Sequence, residues 1–520
     1  MLKRSSKYVS LLLSALIALS APIGCSNSNS NSSNSTPASS TPAQQSAAAT
    51  QASTPAGDSG QYTITMAYIG GDQPNQDNVR QALREQTQKD INMDFELIQM
   101  GFGDYQDRLN LMLSGGDKLD IFPIFFTNSN SYINAGQVVD LSQYIDQYGK
   151  DIINFMGADV AKSGAVNGFI YGIPSNKESA SLAGIVMRKD IVDELGIDVS
   201  KIKTYDDLTP IFAKVKAAHP DMDCIAGTNL VSQIQISDPL TDSFGVLMNQ
   251  GQDTNVVNLF ETDFYKTRVH RIYDWYKAGY IKLDAATTTE TNENLVKSGS
   301  LFSFLSSIKP AFLIQENAAC GMELVTAYLG NDDGTPLNMI SSVNVNFYDW
   351  GIAQQSIDKV KAMQFLNYAY SSPEWNNLMN FGVENEDYVR VSGSDKLIDF
   401  PAGKDASSAY HLNMGWMLPN QFIGYVWNGQ PDDIWQQYQT FNASATYSKA
   451  FGFFYDSSSV ANELSALFGV TSQYQKPLET GSVTDVDATL KEFNDQLYAA
   501  GLQKVMDLKQ QQLNAWLASH

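Results

Sequence analysis

Asp120-Ile121-Phe122-Pro123-Ile124-Phe125-Phe126 is an unbroken apolar run, the pattern of a strand covered on both faces. Working back from it, Tyr105 to Ser114 sets Leu109, Met112 and Leu113 on one side of a helix that Gly115-Gly116 ends. Ile91 to Leu97 alternates as a strand does. Asp77 to Asp90 carries Val79, Ala82, Leu83 and Thr87 at helical spacing. Gln61-Tyr62-Thr63-Ile64-Thr65-Met66-Ala67-Tyr68-Ile69 is again alternating and β-rich, punctuated by Gly70-Gly71-Asp72-Gln73-Pro74. The order β-α-β-α-β predicts a parallel sheet with helices on its faces.

Working forward, Leu182 to Arg188 reads as a strand and Lys189 to Leu195 as the helix after it. Ile357 to Tyr370 is helical. From Thr484 onward Leu490, Phe493 and Leu497 recur at spacings of three and four. Gly501 interrupts that pattern, and Leu502, Val505, Met506, Leu513, Trp516 and Leu517 resume it. Trp275 falls inside a helical pattern and reads as core. No internal repeat is present. The folded part is longer than one hydrophobic core usually serves, so two lobes are expected.

The N-terminus sets the compartment. Lys3, Arg4 and Lys7 precede the apolar stretch Val9 to Leu19, about half the ~20 residues a membrane helix needs. This is the pattern of a secretory signal over residues 1–24. Ala21-Pro22-Ile23-Gly24-Cys25 resembles the lipobox of bacterial lipoproteins, which implies a diacylglycerol on Cys25 as the mature N-terminus. Residues 25–60, rich in Ser, Asn, Thr, Pro, Ala and Gln, have almost nothing to bury and are expected to form a disordered tether. As a coil it would reach on the order of 30–35 Å.

Composition excludes several functions. The formal charge is −22, and three units more negative without residues 1–24, which argues against nucleic acid and polyanionic ligands. Besides Cys25 only Cys224 and Cys320 remain, either a single bridge or two buried thiols. His219, His270, His411 and His520 belong to no metal-binding run, so no metal and no cofactor are indicated. Asn331-Asp332-Asp333-Gly334 reads as a turn rather than a calcium loop. There is no nucleophile elbow and no phosphate loop. A carboxylate pair of a glycoside hydrolase could sit among so many acids, but nothing points to one.

Several segments resemble the family 1 extracellular solute-binding proteins of carbohydrate ABC importers. They are Tyr132 to Leu141, Phe169-Ile170-Tyr171-Gly172-Ile173-Pro174, Val186 to Ile197, and Thr204-Tyr205-Asp206-Asp207-Leu208, in the family's order. Asn380 to Val389, Trp416 to Tyr425 and Phe451 to Ala518 resemble a subgroup of large Firmicutes lipoproteins with an uncharacterised C-terminal domain. The resemblance implies an α/β, periplasmic-binding-protein-like fold of two lobes. Each lobe would be a mainly parallel sheet flanked by helices, with a hinge between and a helical C-terminal extension. It implies a solute-binding domain over 61–447, with lobe 1 about 61–176 plus 346–400 and lobe 2 about 177–345. A C-terminal domain over 448–520 would pack on the lobes.

The implied function is capture of an oligosaccharide in the interlobe cleft and delivery to a permease, without catalysis. Its expected partners are the oligosaccharide, the transmembrane subunits of the ABC permease and, through the anchor, the outer face of a Gram-positive cell membrane. The chain is expected to act as a monomer. A peptide or amino-sugar ligand, or a polysaccharide-processing enzyme, are the rival readings. A sugar needs aromatic faces for its C–H patches and amides or carboxylates for its hydroxyls, on loops at the carboxyl ends of strands. Those loops offer Asp72, then Asp104 and Tyr105, then Asn128. The resemblance adds Glu178 past the Tyr-Gly-Ile-Pro signature and Phe304 as a stacking ring. Trp350 and Trp416, with Asn420, complete the candidate set.

Overall fold

The computed structural model describes residues 61–180, 182–228, 230–231, 236–331 and 333–520. The secretory signal, Cys25, the tether to Gly60 and Asp332 of the acidic turn lie outside the described residues. Strand β1 (Thr63–Ile69), helix α1 (Gln76–Ile91), β2 (Asp94–Met100), α2 (Tyr105–Gly115) and β3 (Ile121–Phe125) follow in the order the apolar periodicity dictates. The α1 residues Val79, Leu83 and Thr87 are the buried stripe, and Asn92 closes the helix in the left-handed region. After the short strand β4 (Ile173–Pro174) the chain crosses to β5 (Leu182–Arg188).

The second lobe contains α3 (Asp263–Lys277), β6 (Ser303–Ile308), α4 (Phe312–Cys320) and β7 (Leu324–Tyr328). The chain then returns as β8 (Tyr348–Ile352), followed by α5 (Lys359–Ser371). Three long helices end it: α6 (Ala461–Thr480), α7 (Val486–Ala499) and α8 (Leu502–Leu517). Gly501, at φ 103°, forms the break between the last two.

The first lobe's sheet runs β2-β1-β3-β8-β4. β1 is parallel to β2 and β3, as expected, while β8 is antiparallel to both neighbours because it enters from the other lobe. Pairing of β1 with β3 is confined to Met66–Ile121, and Pro123, lacking an N–H, adds no rung there. Phe95, Phe365 and Trp375 cover one face, with Phe95 and Phe365 stacked at 5.2 Å.

In the second lobe the expectation of a mainly parallel sheet is corrected. β5 lies between β6 and β7 and is antiparallel to both. The parallel relation survives between β6 and β7, joined through α4, but β5 has entered from the hinge in the opposite direction and separates them. Its core includes Tyr205, Phe212 and Trp275, and Trp275 is 1% exposed, as its helical setting suggested. Phe453, together with Leu467, Phe493, Val505 and Leu513 of the C-terminal helices, belongs to that same continuous cluster. Cys224 and Cys320 are both buried free thiols.

The interlobe crossings are tied together. Asn442 accepts the N–H groups of Ser179 and Ala180 at 2.9 and 3.0 Å and donates to the Lys177 carbonyl. Met339 and Ile340 pair in parallel with Thr446 and Tyr447. Among the described residues no helix is long and apolar enough to cross a membrane.

Candidate functional site

The edge of the first sheet where β3 ends and β8 begins gathers aromatic rings. Because the two strands are antiparallel, Phe125 at the end of one lies opposite Tyr348 at the start of the other. Phe125 packs edge-on against Phe347 at 5.5 Å and tilted against Tyr105 at 5.6 Å. Trp416 closes the group, 6.1 Å from Phe347 and 6.0 Å from Tyr348. Tyr105, Phe125, Phe347 and Trp416 are all half-buried, so they form a rim rather than a core.

Beside this rim lies a polar cavity of about 790 Å³ at the carboxyl ends of β1 and β2. Asp72, Gln73, Gln99 and Asp104 line it, with Arg80 and Arg108. Asp104 on its wall is followed in the chain by Tyr105, a ring of the rim, so the two groups are neighbours at the start of α2. Asp104 precedes α2 but makes no capping hydrogen bond; its carboxylate faces Arg108 at 3.7 Å. A cap would have fixed its oxygens on backbone, and here they stay on the cavity side.

Asn128, after β3, donates to the Gln106 side chain at 2.6 Å, and Gln106 donates to the Tyr132 hydroxyl at 2.8 Å. Burial, and next the Tyr132 hydroxyl, push the Tyr105 phenol up to about 12, so it remains a neutral hydrogen-bonding group. Glu178 stands just past the first crossing. Its carboxylate pairs with the Lys309 ammonium, and its second oxygen accepts from Gln421 at 3.1 Å. Burial alone would raise this acid, but the charges of Lys309 and then Lys177 outweigh it and hold it below the ordinary carboxylate range. The methylene of Gln421 packs against Gly415, one residue from Trp416, which joins the Glu178 group to the rim.

Three candidates fall elsewhere. Phe304 is 2% exposed, in a small core with Val186, Leu295 and Val296. Trp350 is 1% exposed, and its indole N–H donates to the Met417 carbonyl at 2.9 Å. Asn420 is 1% exposed: its amide donates to the Tyr370 carbonyl, while its oxygen accepts from Asn176 and the Phe422 N–H. Each is a core or hinge group with its polar atoms already satisfied. All three sit within strands or between crossings, where both faces are covered. Sequence reasoning missed Phe125, Phe347, Lys309 and Gln421. The signal for the two rings was their place at the ends of paired strands rather than inside them. Lys309 carried none, because its partner is 131 residues away.

Asp349 is a further buried group, on β8 beneath the rim. It is fully buried, and burial raises its carboxyl well above the usual range, with the Tyr171 hydroxyl as its nearest polar neighbour. That hydroxyl is itself fully buried, and burial together with the Asp349 charge raises it well above the ordinary phenol range. Among the described residues no three His, Cys, Asp or Glu side chains gather as a metal site.

Two α/β lobes joined by tied crossings, with an aromatic and polar rim at strand ends, define a two-lobed small-molecule binder. Residues 80–383 match the bacterial extracellular solute-binding protein family, and the chain belongs to it. Residues 449–518 match a domain of unknown function, DUF3502. A curated relative, "Carbohydrate ABC transporter substrate-binding protein" of Streptococcus pneumoniae serotype 4 (strain ATCC BAA-334 / TIGR4), is 25% identical over 90% of this chain and 94% of its own. The crystal structure of the N-glycan transport solute binding protein NgtS from Streptococcus pneumoniae superimposes with a TM-score of 0.74 at 22% identity. That match covers 88% of this chain and 99% of the other. The same protein in complex with Man5GlcNAc gives 0.65 at 23% identity, over 88% and 99% of the chains. An extracellular solute-binding protein from Bifidobacterium longum subsp. infantis gives 0.63 at 15% identity, over 88% and 99%. These likenesses establish the two-lobed fold.

Proposed function

We propose that this protein is the substrate-binding lipoprotein of an ABC importer, capturing an oligosaccharide between its lobes and handing it to a membrane permease. The observation that carries the reading is the adjacency of a polar cavity and an aromatic rim, through Asp104 and Tyr105 at the start of α2. Sugar C–H faces would lie on Tyr105 and Trp416, with hydroxyls reaching Asp72, Asp104, Asn128 and Glu178. Two stacked rings contribute roughly 1–3 kcal/mol beyond burial, by analogy with aromatic pairs. Micromolar binding requires about −8 kcal/mol, so hydroxyl hydrogen bonds and desolvation supply the larger share. The carbohydrate transporter assignment of the Streptococcus pneumoniae relative, and the glycan bound to NgtS, support the choice of ligand class.

In this reading Cys25 carries the lipid, residues 25–60 tether the body to the outer membrane face, and the protein works as a monomer without catalysis. Three aspartates on the cavity wall, Asp72, Asp77 and Asp104, favour an amino-sugar or peptide cation as the alternative ligand, although Arg80 and Arg108 offset them. Calorimetry against neutral oligosaccharides, amino sugars and short peptides, with chromatography of each mixture afterwards, separates the readings. Saturable binding of an intact neutral glycan supports the proposal. Preference for the cations moves the ligand class, and shortened sugar would mean an enzyme.

A further inference from the structure

The region matching the domain of unknown function touches the candidate site's own loop. Adjacent residues of this region divide between the lobes: Phe453 lies in the second lobe's core against Trp516, while Phe454 enters the first lobe's core edge-on to Tyr171 at 6.2 Å. The next residues are held firmly on the C-terminal side. The Asp456 backbone exchanges two hydrogen bonds with the Gln512 side chain, at 2.8 and 3.1 Å. The Tyr455 hydroxyl donates to Asp242, which also pairs with the fully buried ammonium of Lys509.

From that anchored strip, hydrogen bonds cross to the first lobe. Asn130 donates to the Tyr455 carbonyl at 3.2 Å and to the Ser457 hydroxyl at 3.4 Å, and Asn134 donates to the Ser458 hydroxyl at 2.7 Å. Both asparagines belong to the short helix Ser129–Asn134, which begins directly after Asn128. Tyr132 of the same helix and Asn128 before it both bond Gln106, next to Tyr105. A continuous polar chain therefore runs from Ser457 and Ser458 through one helical turn to the rim.

We propose that residues 449–518 position the ligand loop: Ser457, Ser458 and the Tyr455 carbonyl fix Asn130 and Asn134, and thereby Asn128 and Tyr105, for the bound sugar. The inference rests on the reading that Asn128 and Tyr105 meet the ligand. A loop held from outside loses less conformational freedom when a ligand arrives, which is the thermodynamic use of such a brace. The brace also couples the second lobe's core to the first lobe's site, since the strip is rooted in the former.

The test uses the full chain with Ser458→Ala, Asn134→Ala, the double variant and the conservative Ser458→Thr. Amide hydrogen exchange over residues 126–134 is read without ligand, and calorimetry is read with the Man5GlcNAc glycan. Each single alanine variant should speed exchange in that segment, and weaken binding about three- to tenfold. The double should be no worse than the larger single, Ser458→Thr should restore both readouts, and exchange in α3 should stay unchanged. Wild-type rates in 126–134 for the alanine variants, additive effects, or faster exchange everywhere would overturn the inference. If the wild type fails to bind the glycan while exchange responds as stated, the ligand assignment fails and the brace stands.

Discussion

The two lobes put their aromatic rings to different uses. In the second lobe Tyr205, Phe212 and Trp275 pack within one core, with Trp275 edge-on to Phe212 at 5.0 Å and stacked on Tyr205 at 5.8 Å. In the first lobe Tyr105, Phe125, Phe347 and Trp416 stand half-exposed at the ends of elements and in turns. Residue type does not separate the groups, since each holds Trp, Tyr and Phe. Position does: Phe212 and Trp275 lie within helices whose apolar faces are covered, while Phe125 ends a strand, Phe347 precedes one and Tyr105 opens a helix, each keeping part of its ring exposed. The same contrast holds within the first lobe, between Trp350 in mid-strand and Trp416 in a loop turn.

Substitutions sharpen the contrast. Trp275→Ala should cost about 3–5 kcal/mol of stability, read by urea unfolding, because it opens a cavity in a packed core. Breaking the Glu178–Lys309 pair with Glu178→Ala should cost about 1–3 kcal/mol by the same measurement, since it strands a partly buried ammonium. The cost should depend on pH. The folded Glu178 acid is held below its unfolded value, so its contribution is present above the ordinary carboxylate range and disappears as pH falls through the lower folded value. Wild type and variant should therefore converge in acid.

Trp416→Ala should leave the fold in place yet weaken glycan binding by about 1–2 kcal/mol in calorimetry, the reverse of the Trp275 pattern. An equal loss of stability in both tryptophan variants would erase the distinction between core and rim. The smallest expected effect is a gain. Asp349 has its folded acid raised, so above its unfolded value near 4 it carries a penalty that grows until the folded group ionises. Asp349→Asn should raise the melting midpoint by about one degree at neutral pH, with the difference shrinking towards pH 3.5.

Much of this architecture is legible in the sequence. Periodicity places β1 through β3, β5, α5 and the Gly501 break within a few residues, because each depends on local spacing. The antiparallel setting of β5 is not legible, since strand direction depends on where a distant segment enters. The site divides the same way. Asp104, Tyr105 and Asn128 follow strands that the sequence announces, and strand ends are where such folds bind. Phe304, Trp350 and Asn420 stand out by segment identity alone, and the structure gives them core and hinge duties. Phe125, Lys309 and Gln421 depend on pairings across the chain that no local pattern carries.

A crystal structure of the chain with a bound oligosaccharide addresses the central claim most directly. The account predicts one sugar ring against Trp416 or Tyr105 and hydroxyls on Asp104 or Asn128, with both lobes touching the ligand. A glycan bound away from this rim, leaving those four side chains bare, would contradict it.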